Sequence, residues 1–207
     1  MLGKAGNEAV RRDQKSFVAN AGKALKFDDA GKSSLFLAIV PEHDVALRAV
    51  EIGRDVSQRH GLSKSPHPHE LMHVSLNAIG KYADFPEDVV VAVSAAMATV
   101  KAAPFEVMFD RIMHFASANA VALGSAVRSE EMMDLHVQLA KEMWAVGLTF
   151  TYNPRFTPHM TLFYDEAPVS EHRLAEPVRW VAREFVLIRS FIGKSEYEYI
   201  DRWPLLD

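Results

Sequence analysis

The chain contains no cysteine. That absence excludes disulfides, thiolate metal sites and a cysteine nucleophile, and it makes a reducing, cytoplasmic setting the expectation. No apolar run approaches the ~20 residues that a membrane-spanning helix needs. The basic residues near the start are not followed by an apolar stretch, so no secretory leader is expected. Positive charge is also in deficit. The formal net charge is −4, which argues against a broad electrostatic footprint on nucleic acid. Any RNA substrate would have to be recognised locally, at an end or as a small fragment. Nothing marks a membrane, a cofactor or an obligate protein partner, and a monomer is expected.

What remains is an ordinary globular composition. The chain has 207 residues, 49% of them apolar and 24% charged, enough for one large domain or two small lobes. Nine histidines are somewhat many for this length. Residues 1–32 carry seven Lys/Arg against four Asp/Glu, leaving 16 against 23 for the remainder, so the body is acidic. Residues 1–33 read as an N-terminal extension, polar and weakly periodic, with one helical stretch near Glu8 to Leu25. Residues 34–207 read as a single domain.

Leu35-Phe36-Leu37-Ala38-Ile39-Val40 is a short apolar run stopped by Pro41, which suits a buried strand. A helix follows from Asp44 to His60, with Gly61 at its stop position. After a Pro/His/Ser loop, Ser63 to His69, residues Leu71 to Ile79 alternate as a strand. Pro86 to Ala103 reads as a helix with proline at its start. Pro104 to Phe115 and Asn119 to Val127 are strand-like. A further helix runs from Ser129, a good N-cap followed by acids, to Val146 and stops at Gly147. His159 to Tyr164, 183–192 and 196–203 complete the strands. Helices interleaved with antiparallel-compatible strands imply an α+β fold.

Within this order one chemical pattern occurs twice. His73-Val74-Ser75-Leu76 returns as His159-Met160-Thr161-Leu162, 86 residues later. That spacing fits two similar lobes facing each other. Side chains alternate across a strand, so His73 shares a face with Ser75, and His159 with Thr161, while the intervening apolar residues anchor each strand in its lobe. Two imidazoles and two hydroxyls then converge in a cleft. Phosphoester cleavage needs that equipment: a neutral imidazole to take a proton from water, an imidazolium to protonate the departing oxygen, and hydroxyls for the oxygens that gather charge. A single histidine on a strand is ordinarily a surface or satisfied core residue. The repetition, with a proline-containing loop before each copy, favours the chemical reading.

These residues resemble the 2H phosphoesterase superfamily, and within it the bacterial RNA 2′,3′-cyclic phosphodiesterases, also called 2′-5′ RNA ligases. The resemblance covers roughly residues 34–205. It rests on Leu35 to Ile39, on His73 to Leu76 followed by Gly80, and on Phe156-Thr157-Pro158 leading into His159 to Leu162. The run Glu184 to Leu187 with Ser190, Tyr197 and Trp203-Pro204-Leu205 also fits. The resemblance implies two pseudo-symmetric lobes of antiparallel sheet with outer helices around a central cleft. It also implies metal-independent hydrolysis of a 2′,3′-cyclic phosphate to a 2′-phosphomonoester, and in some relatives 2′-5′ RNA ligation. By position His73, Ser75, His159 and Thr161 form the catalytic set, and by analogy His159 is the base and His73 the acid.

Two departures bear on substrate. Many relatives carry an arginine shortly after the second motif, where this chain has Tyr164, and Asn77 stands where relatives often have a basic side chain. The expected partner is therefore a small cyclic nucleotide or an RNA end. Phe36 and Phe163 are candidates to stack on a base, and Arg155 to contact phosphate. A competing pattern overlaps the first motif: His69-Glu70-Leu71-Met72-His73 satisfies His-Glu-x-x-His, which binds zinc when it lies on a helix. Pro66, Pro68 and the alternation after His73 oppose that helix, so no metal is expected. A third reading keeps the cleft only to bind a nucleotide.

Overall fold

Strand β1 (Ser33–Ile39) is buried at Leu35, Leu37 and Ile39, and helix α1 (His43–Arg59) lays Ala46, Ala49, Val50, Gly53 and Val56 on the same core. The computed structural model describes residues 32–150 and 152–206. The extension read at 1–33 and its helical stretch near Glu8 to Leu25 lie, up to residue 31, outside the described residues. Gly61 ends the turn after α1 at φ +63 and Gly147 ends a later helical turn at φ +77, the left-handed backbone that favours glycine. Strand β2 (Val74–Tyr82) and helix α2 (Glu87–Met97) follow. Then come β3 (Phe105–Phe115), β4 (Ala120–Gly124) and helix α3 (Glu130–Ala145), whose Ser129 Oγ accepts the Met132 N–H at 3.2 Å as the expected N-cap. Strands β5 (His159–Tyr164), β6 (His172–Ala182), β7 (Glu184–Phe191) and β8 (Glu196–Pro204) complete the chain.

All eight strands form one antiparallel sheet in the order β6-β3-β4-β5-β2-β1-β7-β8. It divides into two four-stranded halves, β8-β7-β1-β2 and β5-β4-β3-β6, joined at the pair Val74↔Met160. The two motif strands are thus the neighbours at the centre. The three helices pack their apolar residues on one face of the sheet in a single core. The other face carries a small cluster of Ala38, Val186 and Ile188 with Phe36, Val40, Tyr197 and Tyr199 packed on it. This is the expected α+β architecture of two antiparallel lobes with outer helices. Among the described residues no helix is long and apolar enough to cross a membrane.

Three local readings differ. Residues Leu71 to Ile79 do not begin as a strand: His69–Leu71 forms a 3₁₀ turn and β2 opens at Val74. Helix α2 ends at Met97 rather than Ala103, where the Thr99 hydroxyl donates to the Ala96 carbonyl at 2.7 Å and so terminates the ladder. Strand β6 is absent from the sequence reading. It is an edge strand whose first half is exposed and carries Pro177, so only Val178 to Ala182 alternate, with Val178, Trp180 and Ala182 buried.

Candidate functional site

Each motif holds its imidazole in the same way. The His73 Nδ1–H donates to the Leu71 carbonyl at 2.8 Å, and the His159 Nδ1–H donates to the Thr157 carbonyl at 2.8 Å, in both cases two residues back. A carbonyl only accepts, so Nδ1 carries the proton and the Nε2 of each neutral ring is an acceptor. The Ser75 hydroxyl donates to the Nε2 of His73 at 3.0 Å. A phenyl ring backs each imidazole at an interplanar angle of 39°: Phe36 against His73 at 5.0 Å, and Phe115 against His159 at 4.4 Å.

The two rings feel each other. Dehydration pushes His73 from 6.5 down to about 4, with the nearby charges of His159 and His67 adding to the shift and the Leu71 hydrogen bond opposing it. Dehydration also lowers His159, against the Thr157 hydrogen bond. In the free protein both imidazoles are therefore neutral near pH 7, the state a base requires. Between pH 6.5 and about 4 the unfolded chain binds more protons at His73 than the native chain does. Stability from this group is complete above that window and falls as the pH drops through it.

The hydroxyls and the residues after them are set by a matched pair of bulges. Ala38 pairs with Ser75 and Leu37 with Asn77, so Leu76 is the extra residue of β2. Ala122 pairs with Thr161 and Val121 with Phe163, so Leu162 is the extra residue of β5. A bulge restarts the alternation one residue out of phase, and that decides two candidates. Asn77, expected to face the substrate, is 2% exposed and donates to the His136 carbonyl on α3 at 3.3 Å. Phe163, expected to stack on a base, is 1% exposed and belongs to the core. Strict alternation from His73 and His159 would have put both on the cleft face. Each bulge carbonyl finds a donor from outside its strand: the His136 ring meets Leu76 O at 3.0 Å, and the His67 backbone N–H meets Leu162 O at 2.8 Å.

Of the remaining candidates, Phe36 is beside His73, as expected. Tyr164 is exposed, meets the edge of His67 at 5.5 Å, and lies close enough to Tyr197 for their charges to interact. Arg155 is exposed and lines a cavity that also includes Thr157 and Pro158, and none of its contacts is with either imidazole among the described residues. Three residues not expected at the site also gather here: Phe115, His67 and Tyr197, the last read in the sequence only as part of the family resemblance. The Tyr197 ring meets His73 at 5.4 Å, and dehydration pushes its phenol up to about 12, so it remains a hydrogen-bond donor across working pH. The alternation of Tyr197 and Tyr199 with Glu196 and Glu198 was a legible signal for them. Phe115 gave none, since nothing local marks a strand-end phenylalanine as the neighbour of a histidine 44 residues away.

The His-Glu-x-x-His reading loses its helix. His69 to Leu71 make one 3₁₀ turn, His69 Nδ1 faces the Glu70 carboxylate at 3.3 Å and its ring packs on His43 at 4.8 Å. His73 is turned instead toward Leu71 O and Ser75. Among the described residues no three His, Asp or Glu side chains are grouped to hold a metal ion.

Comparison with known proteins bears on the family and the fold. The model of the family described as the 2′-5′ RNA ligase superfamily matches residues 16–190. No curated protein matches. Among solved structures, LigT of E. coli complexed with 3′-AMP is similar at 20% identity and a TM-score of 0.72, covering 84% of this chain and 99% of its own. A structure described as a phosphoesterase is similar at 20% identity and a TM-score of 0.71, covering 85% and 99%. The protein TT0787 of Thermus thermophilus is similar at 21% identity and a TM-score of 0.67, covering 83% and 97%. At these identities the structures speak for the fold.

Proposed function

This chain belongs to the 2′-5′ RNA ligase superfamily, and from that premise we propose that it hydrolyses the 2′,3′-cyclic phosphate of a nucleotide or RNA end, without a metal, to a 2′-phosphomonoester. The observation that carries this reading is the matched pair of imidazoles, each fixed through Nδ1, at the starts of the two central strands, His73 just before β2 and His159 first in β5. His159 Nε2 removes a proton from water, the water oxygen bonds to phosphorus, the bond to O3′ breaks, and His73 Nε2 protonates O3′. Ser75 and Thr161 donate hydrogen bonds to the non-bridging oxygens, where charge accumulates. For that, the Ser75 hydroxyl turns from His73 to the phosphate. With a 5′-hydroxyl in place of water, the same steps bond O5′ to phosphorus, release O3′ and join ends through a 2′-5′ linkage, as the family description suggests.

An acid held at about 4 needs help, and the substrate supplies it. A phosphate anion ~4 Å from the imidazole is worth about 4 kcal/mol at an effective dielectric constant of ~20, which is about 3 pH units. That is the size of the depression at His73. Two pH profiles test this. Because kcat/KM reports the free enzyme, in which both imidazoles are lowered, its bell-shaped optimum is expected on the acid side of 6.5. The kcat profile reports the complex, and its optimum is expected at higher pH. Both should be unchanged by a chelator. A kcat/KM optimum above neutrality, or loss of rate on chelation, would contradict the proposal.

A further inference from the structure

The Leu71 carbonyl decides which nitrogen of His73 carries the proton, because the Ser75 hydroxyl at Nε2 can either donate or accept. A short turn holds that carbonyl, and each carbonyl from residue 68 to residue 71 has a partner. Pro68 O accepts the Leu71 N–H at 3.0 Å and His69 O accepts the Met72 N–H at 3.1 Å, closing the 3₁₀ turn. Leu71 O accepts from His73. The remaining one, Glu70 O, accepts the Tyr199 hydroxyl at 3.3 Å, from the edge strand β8 and 129 residues away. Among the described residues this is the one hydrogen bond between residues 69–71 and a strand.

Tyr199 is itself well fixed. Its ring packs on the cluster of Ala38, Val186 and Ile188, on the same face as Phe36 and Tyr197 beside His73. The Arg202 guanidinium lies over it at 4.8 Å and is paired with Glu184. Dehydration raises the Tyr199 phenol, against the pull of Arg202, so the hydroxyl keeps its proton and donates. The turn has two other anchors, the buried Met72 side chain and the His69 ring packed on His43 of α1. These are side-chain contacts that fix where the turn lies. The bond to Glu70 O fixes the tilt of the 70–71 peptide, and Leu71 O belongs to the next peptide.

The second motif is fastened in another way. The loop that carries the Thr157 carbonyl is closed from within by Asn153, whose carbonyl accepts the Phe156 N–H at 3.1 Å and whose Oδ1 accepts the Arg155 N–H at 3.0 Å. The His159 ring therefore does not depend on β8.

We propose that Tyr199 is a positioning residue for His73: through Glu70 O it orients the turn that presents Leu71 O, and so keeps the His73 proton on Nδ1 and Nε2 toward the reacting phosphate. The effect on rate rests on the hydrolytic reading of the paired imidazoles, whereas the effect on the ring is read without turnover. Tyr199→Phe keeps the ring and its contact with Arg202 and removes the hydroxyl. Long-range ¹H–¹⁵N NMR of the histidine rings in the full chain reports each tautomer. In wild type near neutral pH both His73 and His159 are expected as the Nδ1–H form. In Tyr199→Phe the His73 signals are expected to move toward a mixture of tautomers, with Ser75 accepting from Nε2–H. The His159 signals are expected to stay, which controls for folding within the same spectrum.

With a 2′,3′-cyclic mononucleotide, kcat of the variant is expected to fall by about 10- to 10²-fold, the cost of a misplacement on the order of 1 Å, with KM unchanged. His73 signals that are the same in both proteins, His159 signals displaced as far as those of His73, or a wild-type kcat overturns the positioning role. If wild type hydrolyses no cyclic phosphate, the hydrolytic reading has failed and the ring spectra alone decide. A tautomer change confined to His73 then sustains the role of Tyr199, and its absence removes it.

Discussion

His159→Ala and His73→Ala each lower hydrolysis of a 2′,3′-cyclic phosphate by about 10²–10⁴-fold, the worth of one proton-transfer group. The loss falls on kcat, because proton transfer is made only in the transition state. The double variant loses less than the product of the two single losses, since either imidazole alone leaves the other without its step. Ser75→Ala and Thr161→Ala lose less, about 10–10³-fold, as single donors to developing charge do. Single-turnover rates at saturating substrate check all four. Either histidine variant turning over at the wild-type rate would mean that the paired imidazoles are not the chemistry. His159 gives the cleaner readout, because among the described residues its ring makes one hydrogen bond, through Nδ1. The His73 ring is tied to Leu71 and Ser75 and packed between Phe36 and Tyr197, so its variant is paired with a melting measurement.

His136→Ala is expected to cost both stability and rate, although His136 lies behind the sheet on α3. Its ring sits between the first motif and the loop that leads to His159: Nδ1–H donates to the bulge carbonyl of Leu76 at 3.0 Å, and Nε2, which carries no proton in that neutral tautomer, faces the Asn153 carbonyl at 3.2 Å. Tyr152 and Phe156 stack on it at 5.0 and 4.4 Å. Truncation leaves the Leu76 carbonyl, at the residue after Ser75, without its donor, at about 1–3 kcal/mol for a buried group. It also removes the ring that the 152–156 loop packs on. A fall in melting temperature of several degrees follows, together with a fall in kcat that persists at temperatures where the variant is fully folded. His136→Asn, which keeps an amide donor, should recover part of each. A variant that melts lower and turns over normally would make His136 a purely structural residue.

Much of this was legible in the sequence. The repeated His-x-Ser/Thr-Leu gave both imidazoles and both hydroxyls, because period-two alternation holds as far as Ser75 and Thr161. It fails one residue later, at the bulges, and Asn77 and Phe163 fall on the wrong side of the prediction for that reason. A bulge depends on how two strands register against each other, and β1 and β4 lie far from their partners in the chain. The same non-locality hides Phe115 and His67, which reach the site across a strand and from a loop docked on Leu162. The zinc pattern fails for a local reason: with prolines at 66 and 68, the segment closes a single 3₁₀ turn before the strand begins. Strand β6 was missed because its first half is exposed and interrupted by Pro177, which leaves only the short alternation from Val178 to Ala182.

Phosphorus NMR of a 2′,3′-cyclic phosphate incubated with the full chain in excess chelator tests the central claim most directly, since the cyclic ester and the 2′- and 3′-monoesters resolve. The expected result is conversion of the cyclic signal to the 2′-monoester by wild type and its persistence with His159→Ala. A cyclic signal that wild type leaves unchanged, or that disappears only when zinc is supplied, would contradict metal-free cleavage by the His73–His159 pair.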